Sequence, residues 1–263
     1  MRPVIALLTD FGTRDHYAGA MKGVILAIAP DVTLVDITHD IPPHDVLLGA
    51  LELAASFKYF PQGTIFVVVV DPGVGSVRRA IAMDAGDFRF VAPDNGVLTL
   101  ALKEAPPKKI VELTERRYAR PTVSRTFEGR DRFAPAAAWL AKGIQLSALG
   151  RPVADIHRLD VPVPEVSAES ITGVVLRVDR FGNLVTNVDR KSAERFLQGH
   201  PVVIAAGSHR IERLVATYAE LPAQGVGALF GSTDHLELAA PSASAAERLG
   251  LGRGTAVTIT RND

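Results

Sequence analysis

Residues Val67 to Val70 form an uninterrupted apolar run that stops abruptly at Asp71-Pro72-Gly73-Val74-Gly75-Ser76-Val77-Arg78-Arg79. Valines without polar alternation suit a strand covered on both faces, as inside a parallel α/β sheet. Ligands of such sheets gather in the crevice beyond the carboxyl ends of the strands. Asp71 therefore belongs at that rim, either as a site carboxylate or as a turn residue paired with Arg78 or Arg79 on the surface.

The surrounding pattern agrees. Residues 4–8, 33–37, 64–70 and 88–92 read as strands, with helix-like stretches around 17–28, 45–57 and 133–142. Asp45 stands where an N-cap carboxylate is wanted, and Pro135 where a first helical turn tolerates proline. This alternation predicts a Rossmann-like α/β domain with a mainly parallel sheet. Between 157 and 169 the composition changes, and Pro162 and Pro164 predict a linker. We expect an α/β domain over 1–160 and a second domain over 168–263. In the latter, short candidate strands at 171–178, 184–188, 202–206, 227–230, 236–238 and 256–259 predict a small all-β barrel, with only 244–249 looking helical.

Composition narrows the function. Lysine plus arginine and aspartate plus glutamate are equal at 29 each, so no net field argues for nucleic acid or an anionic membrane as partner, and a small ligand fits better. The absence of cysteine excludes disulfides, a thiolate nucleophile and cysteine-ligated zinc. The apolar run 4–8 is too short to span a bilayer and carries no signal-peptide cleavage region, so the expected location is the cytoplasm.

Several segments could carry chemistry. Asp10 and Asp15 fall in the first βα loop, where carboxylates accept bonds from ribose hydroxyls. No G-x-G-x-x-G is present there, which leaves a dinucleotide reading without support. His39, Asp40, His44 and Asp45 crowd around Pro42-Pro43 and would permit a metal site, or else line a pocket and cap a helix. Thr126-Phe127-Glu128-Gly129-Arg130-Asp131 packs charges into a turn whose N–H groups could hold an anion or a water, with Asp131 alternatively a helix cap. In the second domain, Asp179, Phe181 and Asn183 combine a flat ring with carboxylate and amide groups, as an adenine or amino-acid ligand requires, although Phe-Gly-Asn is also an ordinary hairpin turn.

Taken in order, Thr9-Asp10-Phe11-Gly12, Met21-Lys22-Gly23-Val24, Asp36-Ile37-Thr38-His39, Asp71-Pro72-Gly73-Val74-Gly75, Ala92-Pro93-Asp94-Asn95-Gly96, residues 126–135, Phe181-Gly182-Asn183 and Leu236-Glu237-Leu238 resemble the S-adenosyl-L-methionine hydroxide adenosyltransferases, relatives of fluorinase and chlorinase. The resemblance spans nearly the whole chain. It implies an amino-terminal α/β domain, a carboxyl-terminal β-barrel and a homotrimer with active sites between subunits. It further implies attack of water on the ribose 5′ carbon of S-adenosylmethionine, giving adenosine and methionine without metal or redox cofactor. By position, Asp71, Arg78 and Glu128 resemble the water-positioning set, and Asp10, Asp15, Phe127 and Gly129 the substrate contacts of the first domain. Asp179, Phe181 and Asn183 resemble the barrel residues that receive the substrate, Ser232 and Thr233 those at the methionine carboxylate, and Tyr218 a residue that stacks on adenine.

Glu128 departs from the family pattern, which has histidine in Thr-Phe-His-Gly-Arg-Asp, and Thr233 stands where relatives place arginine. A carboxylate can accept a proton from water as imidazole does, and it opposes a halide nucleophile. The alternatives left by the sequence are a protein that binds adenosine or S-adenosylmethionine without turnover, and a metal-dependent hydrolase built on His39, Asp40, His44 and Asp45.

Overall fold

A computed structural model describes residues 2–262, and the chain divides into two compact units, Met1–Asp160 and Val161–Asp263. The first contains strands β1 (Val4–Thr9), β2 (Thr33–Thr38), β3 (Ile65–Val69), β4 (Ala80–Ala85), β5 (Phe88–Pro93), β6 (Pro107–Leu113) and β7 (Gly150–Pro152). Its helices are α1 (Tyr17–Ile28), α2 (Val46–Ser56), α3 (Ala101–Glu104) and α4 (Ala134–Ala141). The sheet order is β2-β1-β3-β5-β4-β6-β7.

The valine run makes up the end of β3, an interior strand of the sheet, and its two-residue period explains why all of it is apolar. Ile65, Val67 and Val69 pack with Met21 and Ile25 of α1 and with the alanine face of α4. Phe66, Val68 and Val70 pack on the other face with Leu53 and Phe57. Strands β2, β1, β3 and β5 are parallel. Beyond β5 the sheet continues antiparallel through β4, β6 and β7, so it is mixed. Gly86, with φ +54°, makes the tight turn between β4 and β5.

The strand ends beside the valine run are fastened by side chains. Asn95 donates Nδ2–H to the Val70 carbonyl at 2.8 Å and accepts the Val97 N–H at 3.1 Å. Buried Asp94 accepts from Arg79 Nε and from the His157 N–H, both at 2.8 Å. The loop that leaves β3 is thereby held at its far end. In its middle, Gly75 has φ +79° and a Cβ there would lie 2.4 Å from the Arg125 carbonyl oxygen. Gly75→Ala combines that clash with an unfavourable φ, and urea denaturation is expected to show a loss of about 1–3 kcal/mol.

Asp45 caps α2, accepting the Leu48 N–H at 3.0 Å. Asp131, by contrast, is no helix cap. It lies inside a wide π-type turn, Gly129–Phe133, that leads into α4. Pro135 has no N–H to offer the Asp131 carbonyl, which accepts from Arg120 N–H instead, at 2.9 Å. The fully buried carboxylate accepts the Ser124 N–H at 2.9 Å and pairs with Arg130 at 2.7 Å and Arg120 at 3.2 Å. Burial works against its charge, but these partners together hold its pKa below the ordinary value.

The second unit consists of β8 (Glu165–Val166), β9 (Ser170–Val178), β10 (Leu184–Asp189), β11 (Val202–Ala206), β12 (His209–Ile211), β13 (Gly227–Phe230), β14 (His235–Ala239) and β15 (Ala256–Arg261). Their order is β12-β11-β15-β9-β10-β14-β13, with β8 on β9, all antiparallel. Just after β12, Arg213 and Val215 exchange backbone hydrogen bonds with Ala228 of β13, which nearly closes the barrel. Inward residues such as Ile171, Leu184, Ile204, Leu236 and Ile259 fill it.

Two helices flank these strands: α5 (Arg190–Leu197) and α6 (Ala245–Leu249). The sequence reading found only α6. Asp189 caps α5 by accepting the Ser192 N–H at 2.9 Å, and Ala193, Phe196 and Leu197 are its buried face. That stripe is only three residues wide among five polar or charged ones, too narrow to stand out as a periodic pattern. Among the described residues no helix is long and apolar enough to cross a membrane.

Candidate active site

Beyond the carboxyl ends of β1 and β3 lies a cavity of about 270 Å³, walled by Asp10, Phe11, Tyr17, His44, Asp71, Val74 and residues 126–129. Phe127 stands edge-on to Phe11 and Tyr17, with ring centroids 5.7 and 5.0 Å away. Gly129 lets that aromatic wall close, since a Cβ there would meet Met21 Sδ at 3.1 Å and the ring of Phe127 at 3.4 Å. Asp10 accepts the backbone N–H of His44 at 2.8 Å, which fixes the loop after β2. Asp15 lies outside this wall, exposed just before α1.

One side of the cavity carries a charged set. Arg78 grips Asp71 with both prongs of its guanidinium, Nε at 2.9 Å from Oδ1 and Nη2 on Oδ2. The same Nη2 lies 2.5 Å from Glu128 Oε2, and Arg132 Nε lies 3.2 Å from Glu128 Oε1. Asp71, Arg78 and Glu128 have side chains only 5, 10 and 11% exposed, so this is not a surface ion pair. Arg79 turns away to Asp94 and Asp155. Phe133 supplies a ring beneath Arg78, 5.4 Å from its guanidinium carbon.

Burial raises the Asp71 pKa above the ordinary carboxylate value. The hydrogen bonds and charge of Arg78 offset this in part, and the neighbouring Glu128 charge adds to it. For Arg78 burial opposes the charge, but Asp71 and Glu128 outweigh it and its pKa is raised. A carboxylate so placed is a stronger proton acceptor than one in water, and Arg78 keeps it aimed.

The four residues of the candidate metal cluster do not converge. His39 is buried, with Nδ1 2.8 Å from Thr9 Oγ1 and Nε2 3.1 Å from Asp36. His44 contributes its backbone to Asp10, Asp45 caps α2, and Asp40 is exposed. Among the described residues no group of three or more His, Asp or Glu could hold a metal ion.

In the barrel unit, Asp179 organises the β9–β10 turn. Its carboxylate accepts the N–H groups of Phe181 and Asn183 and the Asn183 side-chain amide, at 2.8–2.9 Å. Gly182, with φ +84°, completes the turn, and the Phe181 ring is left 78% exposed. Tyr218 is half exposed and donates its hydroxyl to buried Glu237 at 2.7 Å. Burial raises the pKa of that glutamate, and Asp179 adds to the effect. Ser232 is exposed beside Thr233, whose Oγ1 is buried without a hydrogen-bond partner. The guanidinium of Arg190 joins this hairpin through Asp234, at 2.8 Å.

Sequence reasoning missed Phe11, Tyr17 and Val74 as wall residues, Arg132 as a second partner of Glu128, and Glu237 as the anchor of Tyr218. Arg132 was within reach of inspection, four residues after Glu128 on a helical turn. The others have no local signal.

The SAM hydroxide adenosyltransferase N-terminal domain pattern matches residues 5–150, and the C-terminal domain pattern of the same family matches residues 173–258. This chain is a SAM hydroxide adenosyltransferase family member. The (R)-S-adenosyl-L-methionine hydrolase of Thermus thermophilus is 38% identical over 98% of this chain and all of its own length, and that of Salinispora tropica is 37% identical over 98% of each. The fluorinase of an Actinoplanes species is 30% identical, again over 98% of each chain. A crystal structure of an uncharacterised conserved protein from Thermotoga maritima superposes with a TM-score of 0.91 at 34% identity, over 98% of this chain and all of that one. Within this family member, the cavity and its charged set lie in the part matched by the N-terminal domain, and the Asp179 turn lies in the part matched by the C-terminal domain.

Proposed function

We propose that this chain hydrolyses S-adenosyl-L-methionine to adenosine and L-methionine. The observation that carries the reading is the buried Asp71–Arg78–Glu128 set on the wall of a cavity at the carboxyl edge of the sheet. The ribose 5′ carbon of the substrate already bears a sulfonium leaving group, so the protein's task is to align a water and exclude competing solvent. Asp71, held by Arg78, accepts one hydrogen of that water, and Glu128 faces the same position. Two carboxylates there oppose a halide nucleophile, which favours hydrolysis over halogenation.

Asp10, Asp15, Phe127 and Gly129 serve the nucleoside end in this reading. Asp179, Phe181, Asn183, Ser232 and Thr233 serve the methionine and adenine ends, and Tyr218 stacks on the base. The active species is a homotrimer with sites between subunits, working in the cytoplasm without metal or redox cofactor. Support comes from the family relationship, the exposed Phe181 ring and the unpartnered Thr233 hydroxyl.

The test is to incubate purified, ligand-stripped protein with S-adenosyl-L-methionine, with and without excess chloride and a strong chelator, and to separate the nucleosides by chromatography. Adenosine is expected in every tube, from protein that light scattering sizes as a trimer. A 5′-chloro product would reverse the choice of nucleophile, and loss of activity in chelator would reinstate a metal. Intact ligand recovered on the protein would leave a binding protein without turnover, the reading that Glu128 in place of histidine otherwise favours.

A further inference from the structure

The same unit holds a second, larger cavity of about 1150 Å³, lined by residues 75–77, 113–117, 119–125, Glu128 and Arg132. Glu128 is the one residue common to the walls of both cavities. Asp71 lines only the smaller and Arg132 only the larger, with buried Arg78 between the two carboxylates. The order across the partition is therefore Asp71, Arg78, Glu128, Arg132, with alternating charge. Glu128 is nine-tenths buried, and its Oε2 has no aligned hydrogen-bond donor despite the proximity of Arg78. Its other oxygen lies 3.2 Å from Nε of Arg132, a residue that lines the larger cavity.

Hydrolysis makes a proton as well as two products. The water oxygen bonds to the 5′ carbon, the carbon–sulfur bond breaks with its electron pair going to sulfur, and one proton of the water must reach solvent. A nucleoside would take up much of the smaller cavity of about 270 Å³, whereas the larger one on the other side of Glu128 stays free of substrate. We propose that the larger cavity is the water-entry and proton-exit port of this active site, with Glu128 as the group that relays the proton and Arg132 as the residue that positions it. Asp71 takes the proton from the attacking water, and Glu128 receives it from Asp71 and passes it to water in the larger cavity. Ser76, Thr114, Thr122 and Ser124, all hydroxyl-bearing, line that cavity. The inference rests on the hydrolase reading.

The experiment places a bulky side chain in the larger cavity, as Thr122→Trp and separately Ala119→Trp, neither residue belonging to the smaller cavity. Arg132→Met and Arg132→Lys accompany them. Each is assayed for kcat and KM with S-adenosyl-L-methionine, for adenosine affinity by calorimetry and for thermal unfolding. Folded plugged variants are expected to lose at least about tenfold in kcat while adenosine affinity stays within about twofold. Arg132→Met should lower kcat and shift its pH profile with KM little changed, and Arg132→Lys should recover part of the loss. If the plugged variants and Arg132→Met all keep kcat and pH profile close to wild type, the port is refuted. Wild-type protein that forms no adenosine would instead remove the hydrolase reading itself.

Discussion

Arg78→Met is expected to cost the fold about 3–5 kcal/mol, because it removes the cation from a buried pair and leaves the anion behind. Asp71 would lose both of its side-chain donors, whereas Glu128 would keep Arg132. Burial already raises the Asp71 pKa with Arg78 in place, and without Arg78 it rises further. For an acid, a folded-state pKa above the unfolded one means stability is fully present below the unfolded value and is lost as pH rises through the folded value. The deficit of Arg78→Met relative to wild type should therefore be small in acid and grow towards neutral pH, as urea denaturation across a pH series would read. A deficit independent of pH would show that Asp71 is not the group left unpaired. Arg78→Lys should fall between the two, since it restores charge without the two-pronged fit.

Asp71→Asn is expected to lower kcat for hydrolysis by about 10²–10⁴-fold, the usual contribution of a positioned base. The amide keeps an oxygen for Arg78 and loses the capacity to take a proton. Because burial disfavours the charge of Asp71 in any case, stability should change far less than in Arg78→Met, which separates the chemical from the structural effect. The wild-type kcat/KM profile should fall on its acid side at a pH above the ordinary aspartate value, since activity requires the ionised form of a group whose pKa is raised. That limb should vanish in the variant. Retention of activity within about tenfold, or an acid limb unchanged by the substitution, would remove Asp71 from the water-positioning role.

Much of this architecture is legible locally. The valine run, the Asp45 cap and the short strands of the second unit are written in periodicity and turn residues, which act over a few positions. Strands β4 and β6 are less readable. Ala80–Ala85 is half alanine with Ile81 its one β-branched residue, and Pro107–Leu113 opens on a proline and two lysines before Ile110-Val111, so the local strand signal is weak and their place is decided by pairing with β5 and with each other. The mixed character of the sheet follows from those pairings.

The candidate site divides in the same way. Asp71 at the rim of the sheet, and a charged turn at 126–131, follow from the sequence because a strand end and a helix start are local events. Which arginine takes Asp71 is not local. Arg78 and Arg79 are adjacent and chemically identical, and the sheet alone turns one inward to Asp71 and Glu128 and the other outward to Asp94 and Asp155. Glu128 comes within reach of Arg78 across 50 residues of chain for the same reason. Local composition determined the elements and the kinds of charge at their ends; only tertiary packing, which buries one guanidinium between two carboxylates, decided how those charges are paired.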